Sequence, residues 1–194
     1  MKNRRSFIKK STLSLAGITF INSISAKSYR KIIGSNERIN IAFQGLGRRI
    51  PGLMSGALAY KNIEVSYLCD VMDNQIKKAS ERYFNLTGKT TKSEKNIHRI
   101  FEDKDVDAII MATPDHWHAY GACKAMESGK HVYLEKPCSH NMNESDLLVN
   151  YQKYFKKVVQ MGNQQRSSPH TVELMQKIKD GEIGNTYKAT AFYH

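Results

Sequence analysis

The stretch Ile39-Asn40-Ile41-Ala42-Phe43-Gln44-Gly45-Leu46-Gly47-Arg48-Arg49-Ile50-Pro51-Gly52 decides the fold. Residues 39–43 form a short apolar run that ends near two glycines. Beyond them, four apolar residues share one helical face: Leu53, Met54, Ala57 and Leu58. A strand, a Gly-x-Gly turn and a helix together form the dinucleotide fingerprint. The first glycine makes the tight turn, and the second lets a pyrophosphate approach the backbone at the helix N-terminus.

The fingerprint is incomplete at its third position. Ile50 stands where the pattern has its third glycine, and Gly52 follows two residues later. We therefore expect the helix to pack on the strand differently here. Alone the motif is weak, because Gly-x-Gly turns occur in many loops.

Asp70 strengthens the prediction of dinucleotide binding. It ends a second predicted strand, residues 63–69, and lies 23 residues after Gly47. A carboxylate at this place can accept hydrogen bonds from the adenosine ribose and would repel a 2′-phosphate, so NAD is favoured over NADP. The alternative is that Asp70 caps the next helix.

Further alternation of strands and helices predicts the fold class. Apolar runs at 106–112, 131–134 and 157–161 predict strands, and the first is continuous enough for a parallel strand covered on both faces. Helical spacing is seen within 119–126, 147–155 and 172–178. Repeated β-α units indicate an α/β fold with a doubly wound parallel sheet, a Rossmann dinucleotide-binding domain. Polar residues 87–96 are predicted to form a loop, and residues 186–193 to begin a new strand.

Two polar segments follow predicted strands at the carboxyl edge of the sheet, where ligands of open α/β sheets bind. They are Thr113-Pro114-Asp115-His116-Trp117-His118 and Glu135-Lys136-Pro137. The alternatives are helix capping or packing for the two histidines, core burial for Trp117 and a surface charge for Lys136.

From Arg38 to its end, the chain resembles the Gfo/Idh/MocA family of oxidoreductases, with Glu135-Lys136-Pro137 as the most specific match. The resemblance implies NAD as the cofactor and Lys136 as the catalytic residue beside nicotinamide and substrate, with a cis bond to Pro137 in many members. A lysine there can stabilise an alkoxide or transfer a proton. The resemblance also implies a set of cofactor-binding residues: Gly45, Leu46, Gly47, Arg48, Arg49, Asp70, Thr113, Pro114, Asp115, His116, Trp117, His118, Glu135, Lys136 and Asn163. No metal ligands are expected.

The family resemblance also implies domain boundaries. We expect the dinucleotide-binding domain to span 38–165 and residues 166–194 to begin a second, truncated α/β substrate domain. Family members run to roughly twice this length and usually carry a catalytic histidine in that domain. We assign no such histidine here, and His194 is not given that function.

The N-terminus predicts an export signal. Asn3-Arg4-Arg5-Ser6-Phe7-Ile8-Lys9 resembles the twin-arginine motif, although Asn3 replaces the usual Ser or Thr. The uncharged run from Ser11 to Ala26 is too short and polar for a membrane span. We therefore expect a signal peptide at 1–26, a linker at 27–37, a periplasmic location and the twin-arginine translocase as a transient partner. The alternative is a disordered basic tail.

Charge and cysteine content exclude other classes. The net charge is +12, but five positive charges lie within the first 26 residues and no basic stripe interleaved with aromatics follows, so nucleic-acid binding is not expected. Three cysteines at irregular spacing predict reduced thiols rather than a disulfide framework. The sequence leaves a homo-oligomer open.

An exported dehydrogenase would meet no appreciable NAD pool. The expected chemistry is therefore redox-neutral hydride transfer on a sugar or sugar derivative, with tightly bound NAD. Two alternatives remain. One is a catalytically incomplete NAD-binding fragment. The other is an NAD-dependent glycosidase-like member of the family, a branch in which the motif lysine is replaced, so Lys136 argues against it.

Overall fold

The computed structural model describes residues 37–192, and the predicted signal peptide and most of the predicted linker lie outside them. Six parallel strands form one sheet in the order β3-β2-β1-β4-β5-β6. The strands are β1 Ile39–Gln44, β2 Ile63–Cys69, β3 Lys92–Glu94, β4 Ala108–Met111, β5 His131–Glu135 and β6 Val159–Gly162. This is the doubly wound arrangement, and the predicted fold class is confirmed.

Helices connect the strands. They are α1 Ile50–Leu58, α2 Asp73–Thr87, α3 Ile97–Glu102, α4 His118–Glu127, α5 Met142–Phe155 and α6 Pro169–Lys179. Short 3-10 helices span Asp115–Trp117 and Gln164–Ser167. α2 ends at Gly88, which adopts the left-handed conformation (φ 67°) that suits glycine.

Two apolar clusters cover the two faces of the sheet, because side chains alternate along each strand. In β1, Ile41 and Phe43 pack in one cluster with Met54 of α1 and Tyr83 of α2. Ala42 belongs to the opposite cluster, which includes residues of α3, α4 and α5. The sheet is thus buried on both sides, as parallel sheets are.

The predicted loop at 87–96 is wrong in part. Residues 92–94 form β3, which pairs only with β2, through Tyr67 with Lys92 and Cys69 with Glu94. As an edge strand with exposed side chains at Lys92 and Ser93, it needs no apolar pattern. α3 begins directly after it, where the Asn96 side chain accepts a hydrogen bond from the His98 amide.

The predicted strand at 186–193 is also wrong within the described residues. Residues 186–192 have no regular secondary structure and are exposed. A strand requires a neighbour for its backbone hydrogen bonds, and the described part of the chain offers none to this segment.

Among residues 37–192, no helix has the length and hydropathy needed to cross a bilayer.

Candidate functional site

The glycine turn, Gly45 to Gly47, follows β1 at the carboxyl edge of the sheet. Gly45 adopts φ 79° and donates its amide to the carbonyl of Cys69 at 2.9 Å. A Cβ on Gly45 would lie 2.7 Å from the backbone nitrogen of Thr113. Both the backbone angle and the close approach of β4's continuation therefore require glycine, as the fingerprint predicts.

Gly47 meets the second requirement of the fingerprint. A Cβ built on it would contact nothing within 4 Å, so the space above the turn is open. α1 begins three residues later, with Arg49 as its N-cap. The first amides of a helix lack intrahelical partners and favour anions. The geometry fits a dinucleotide diphosphate.

Asp70 is held against the glycine turn. Its Oδ2 accepts a hydrogen bond from the Leu46 amide at 2.6 Å, and its Oδ1 accepts one from the Met72 amide at 2.9 Å. The helix-cap alternative does not apply, because the N-cap of α2 is Met72. A carboxylate can accept about four hydrogen bonds, so capacity remains for ribose hydroxyls.

A cavity of about 450 Å³, here called the edge cavity, opens beside the turn. Two buried polar atoms near it have no partner among the described residues, Gln44 Oε1 and Thr113 Oγ1. Unpaired buried polar atoms are unusual in folded proteins, and a nucleoside would supply donors and acceptors here. The lining includes five residues that the sequence predicted: Gly45, Asp70, Thr113, Pro114 and Trp117. It also includes eight that the sequence did not indicate: Gln44, Cys69, Val71, Lys95, Ile97, His98, Tyr120 and Gly121.

Three of the missed residues follow a strand that the sequence did not indicate. Lys95, Ile97 and His98 follow β3, whose polar sequence predicted a loop. Tyr120 lies in α4 and contacts Trp117 edge-on, with ring centroids 5.9 Å apart. A strand assignment at 92–94 would have placed residues 95–98 at this edge.

Trp117 lies at the rim of the edge cavity with 53% of its surface exposed, which rules out plain core burial. His116 packs beside it with ring centroids 6.1 Å apart. The exposed aromatic faces offer a stacking surface for a planar base.

Arg49 joins the glycine turn to the lysine segment, Glu135 to Pro137. Its Nε donates to Glu135 Oε1 at 2.7 Å, and the Glu135 side chain is 7% exposed. This hydrogen bond raises the pKa of Arg49 above its ordinary value. Burial raises the pKa of Tyr133, whose hydroxyl also interacts electrostatically with Glu135 and Arg49. A buried carboxylate is thus paired and hydrogen-bonded, as burial of charge requires.

The altered third position of the fingerprint has a structural basis. Ile50 is 2% exposed and belongs to the apolar cluster under α1. A Cβ on Gly52 would lie 3.3 Å from Arg49 Nη1. The displaced glycine leaves room for the arginine, and Ile50 fills an apolar position under α1.

Lys136 lies exposed at the end of β5, and its bond to Pro137 is cis. Its amide donates to Glu135 Oε2 at 3.2 Å. Within residues 37–192, its ammonium makes no hydrogen bond or ion pair with the chain. Asn163 follows at the same edge, because Glu135 pairs with Gly162 across β5 and β6. The end of the lysine side chain is therefore available at the predicted cofactor edge.

His118 and Asp115 connect the segment after β4 to the segment after β5. His118 is 2% exposed, and its ring nitrogens contact the carbonyl oxygens of Pro137 and Thr113 at 2.5 and 2.8 Å. Asp115 Oδ2 lies 3.4 Å from His140 Nδ1, and this hydrogen bond lowers the pKa of Asp115. The prediction that His118 lines the cofactor stays a prediction, although its ring is engaged by backbone.

Arg48 lies on the outer side of the turn. With Leu46 and Gly47 it lines a second, larger groove of about 630 Å³ between α1 and α2, opposite Lys78 and Arg82. We assign the nucleoside to the edge cavity instead, because only that cavity contains Asp70 and Thr113.

The three cysteines are free, and burial raises the pKa of Cys69 to about 12 and that of Cys123 to about 11. At ordinary pH these two thiols are protonated and unreactive. No cluster of three or more His, Cys, Asp or Glu side chains suited to a metal ion occurs within residues 37–192.

Known relatives match most of the chain. The sequence model of GFO_IDH_MocA, an oxidoreductase family with an NAD-binding Rossmann fold, matches residues 39–163. A glycosyl hydrolase family 109 protein of Shewanella pealeana is 25% identical over 208 residues, covering 98% of this chain and 46% of that protein. An inositol 2-dehydrogenase of Salmonella paratyphi B is 29% identical over 138 residues, covering 71% of this chain and 38% of that protein. The chain spans less than half the length of these relatives.

Solved structures share the fold. KijD10, a 3-ketoreductase from Actinomadura kijaniata in complex with NADP and TDP-benzene, superposes with a TM-score of 0.66 at 19% identity, over 74% of this chain and 43% of that one. The WlbA dehydrogenase of Chromobacterium violaceum, in complex with NADH and UDP-GlcNAcA, gives 0.64 at 26% identity, over 76% and 41%. Both cofactors, NADP and NADH, are thus found on this fold.

Proposed function

Because the chain belongs to the GFO_IDH_MocA oxidoreductase family, with its NAD-binding Rossmann fold, we propose that it serves an exported, NAD-dependent oxidoreductase acting on a sugar or sugar derivative. One observation carries the proposal. Lys136, whose ammonium has no partner within residues 37–192, stands at the sheet edge that also holds the glycine turn and the edge cavity. A cofactor bound at this edge would lie beside the proton-transfer group, as hydride transfer from a hydroxyl-bearing carbon requires.

The family establishes a nicotinamide dinucleotide, and we propose that it is NAD. The negative charge of Asp70 at the turn disfavours a 2′-phosphate. Gly45, Gly47 and the N-terminus of α1 would hold the diphosphate, and the edge cavity would hold the adenosine. When bound, the nicotinamide supplies the acceptor for a hydride.

Lys136 would manage the accompanying proton. As the C–H bond of a carbinol carbon gives up its hydride, the hydroxyl loses a proton to the Lys136 amine, which must be neutral to take it. In the reverse direction the ammonium returns the proton to the oxygen. Glu135 holds the backbone on one side of Lys136 through the amide hydrogen bond.

The names of similar proteins support a sugar or sugar derivative as the substrate. Inositol 2-dehydrogenase is named for a polyol, and the WlbA structure holds a nucleotide sugar.

The proposed export signal, Arg4-Arg5 with Phe7, constrains the chemistry of the reaction. Outside the cytoplasm a cofactor cannot be exchanged, so redox-neutral turnover with retained NAD is the chemistry we propose. The proposed partners are a carbohydrate and the twin-arginine translocase, with no nucleic acid, and a homo-oligomer is left open.

A second candidate is an NAD-dependent glycosidase, which the family 109 relatives favour. The retained Lys136 argues against it, as noted above. Incubating the complete gene product with aryl glycosides separates the two: release of the aryl alcohol supports a glycosidase, and an oxidised sugar without release supports the oxidoreductase. If NAD binds and neither product forms, cofactor binding without catalysis is the function.

The central test is Lys136→Met in the complete gene product. The variant keeps the bulk of the stem and removes the charge and the proton. Turnover should fall by roughly 10²–10⁴-fold, the usual contribution of a placed acid or base. NAD binding and melting temperature should survive, because the glycine turn and Asp70 hold the other end of the dinucleotide.

Lys104→Met is the matched control, since Lys104 is exposed at the other end of the strands, before β4. Bound NAD, melting temperature and single-turnover hydride transfer are measured on both variants. Unchanged hydride transfer in the Lys136 variant would exclude the proposed catalytic function.

A further inference from the structure

The imidazole of His118 is buried, although it stands in the first turn of α4 at the ligand edge. Its Nδ1 lies 2.5 Å from the Pro137 carbonyl oxygen and its Nε2 lies 2.8 Å from the Thr113 carbonyl oxygen. The two carbonyls belong to segments that follow different strands, β4 and β5. One rigid ring therefore spans the gap between these segments.

The chemistry of the contacts makes the ring a donor. Carbonyl oxygens only accept hydrogen bonds, and a ring nitrogen can donate only when it carries hydrogen. We assign the N–H to Nδ1, where the contact is shorter, so that it is directed at Pro137. A buried carbonyl that loses its donor is destabilising, so the contact resists opening.

Each end of this bridge lies against a part of the proposed site. Thr113 forms the wall of the glycine turn, since its nitrogen lies 2.7 Å from the place of a Gly45 Cβ. Pro137 directly follows Lys136. The His118 ring therefore joins the segment beside the glycine turn to the segment that follows the lysine.

Lys136 is thus held from both sides. Glu135 Oε2 accepts the Lys136 amide, and Arg49 fixes that carboxylate to the glycine turn. His118 holds the carbonyl of the next residue, Pro137. Neither contact uses the ammonium of Lys136, which stays available for chemistry.

We propose that His118 is a positioning residue: its Nδ1–H, through the carbonyl of Pro137, sets the place of Lys136 relative to the bound cofactor. The proposal rests on the proposed catalytic function of Lys136. It differs from cofactor binding, because the ring contacts backbone at both nitrogens and contributes through the lysine segment.

Variants that offer a donor to one of the two carbonyls at a time test the proposal. The amide nitrogen of Asn lies close to the place of histidine Nδ1, and that of Gln lies close to Nε2. His118→Asn therefore keeps a donor at the Pro137 carbonyl, and His118→Gln offers a donor to the Thr113 carbonyl and none to Pro137. His118→Phe keeps the ring and neither donor.

The measurements are made on the complete gene product loaded with NAD. They are kcat and KM, the NAD dissociation constant, and hydrogen exchange of the amides at 138–141. In the Gln and Phe variants, kcat should fall roughly 10- to 100-fold, because a displacement of about 1 Å costs that much. Exchange at 138–141 should rise in the same two variants. The Asn variant should stay close to the native protein in both respects, and NAD affinity should change little in all.

Several outcomes overturn the proposal. If Phe preserves kcat and exchange, the ring serves packing alone. If Asn and Gln are impaired equally, the Pro137 contact has no special importance. If NAD affinity falls in step with kcat, His118 belongs to the cofactor site. Should the Phe variant fail to fold, as its melting temperature shows, the Asn and Gln pair decides the question.

Lys136→Met measured in parallel separates this proposal from the proposed function. If that variant retains hydride transfer, the catalytic function of Lys136 is wrong. The exchange of residues 138–141 in the His118 variants still reports whether the ring holds the segment.

Discussion

Asp70 illustrates how one residue serves both the fold and the proposed site. Its two oxygens hold the amides of Leu46 and Met72, and the same carboxylate faces the edge cavity. Removing the side chain would therefore disturb the turn as well as the cofactor. A substitution that keeps an acceptor oxygen separates the two effects.

We predict that Asp70→Asn weakens NAD binding and relaxes discrimination against NADP. The variant loses a charge-assisted hydrogen bond worth about 1.5–3 kcal/mol, or roughly 10- to 100-fold in the dissociation constant. Asp70→Ala should in addition lower the melting temperature, since two amides lose their acceptor. Calorimetric titration with both dinucleotides measures the change. Asp105→Asn, exposed at the opposite edge of the sheet, is the control. A native protein that prefers NADP would contradict the prediction.

At this scale the sequence predicts residues whose function follows from local spacing. Gly45, Gly47 and Asp70 could be identified because the strand, turn and second strand fix their positions. The pairing of Arg49 with Glu135 could not, because 86 residues separate them and only the order of strands brings them together. The same holds for His118 and Pro137, whose contact joins two loops.

Among the elements, β5 and β6 show packing that glycine makes possible. Gly162 pairs with Glu135, and a Cβ on it would collide with the hydroxyl of Tyr133 and lie 2.7 Å from its Cζ. That hydroxyl interacts electrostatically with Arg49 and Glu135. The glycine therefore leaves space for the network that supports the lysine segment.

We predict that Gly162→Ala lowers the free energy of unfolding by about 1–3 kcal/mol, the usual cost of overpacking. Urea unfolding followed by circular dichroism measures it. Adding Tyr133→Phe should restore part of the loss, because the hydroxyl is the nearest atom. Gly56→Ala in α1, where a Cβ meets nothing within 4 Å, is the matched control and should not destabilise. Equal stability of the Gly162 variant and native protein would refute the prediction.

Element prediction succeeded where apolar patterning was strong and failed where it was absent. β1, β2 and β4 contribute side chains to both apolar clusters and β5 contributes to one, so their sequences are apolar enough to be identified. β3 is polar because it lies at an edge. The predicted face of α6 has the right spacing, yet no residue of that helix is buried in the described chain. The spacing of apolar residues predicts that α6 is a helix, but it does not identify the surface against which the apolar face of α6 packs.

For the whole molecule, the family is established from residues 39–163, while the domain boundaries and the location stay predictions. The N-terminal 36 residues lie outside the described part of the chain, so their function depends on sequence alone. The paired arginines make that function testable without a structure.

We predict that replacing Arg4 and Arg5 together by lysine blocks export of a reporter fused after residue 37. Lysine preserves the charge, so a loss of export reflects recognition of the arginine pair rather than basicity. The control replaces Lys9 and Lys10 by arginine, which leaves the pair intact. Reporter activity outside the cytoplasm is compared in strains with and without the translocase. Export that persists without the translocase would refute the assignment.

Trp117, the single tryptophan of the chain, stands at the rim of the edge cavity with 53% of its surface exposed. The intrinsic fluorescence of the protein thus originates beside the proposed nucleoside site, with no second indole to add background. Indole emission overlaps the absorption of reduced nicotinamide, so excitation energy would pass from Trp117 to a reduced cofactor bound at the proposed site. Trp117 would then be an intrinsic optical probe, through which cofactor binding and release could be followed in real time without a label.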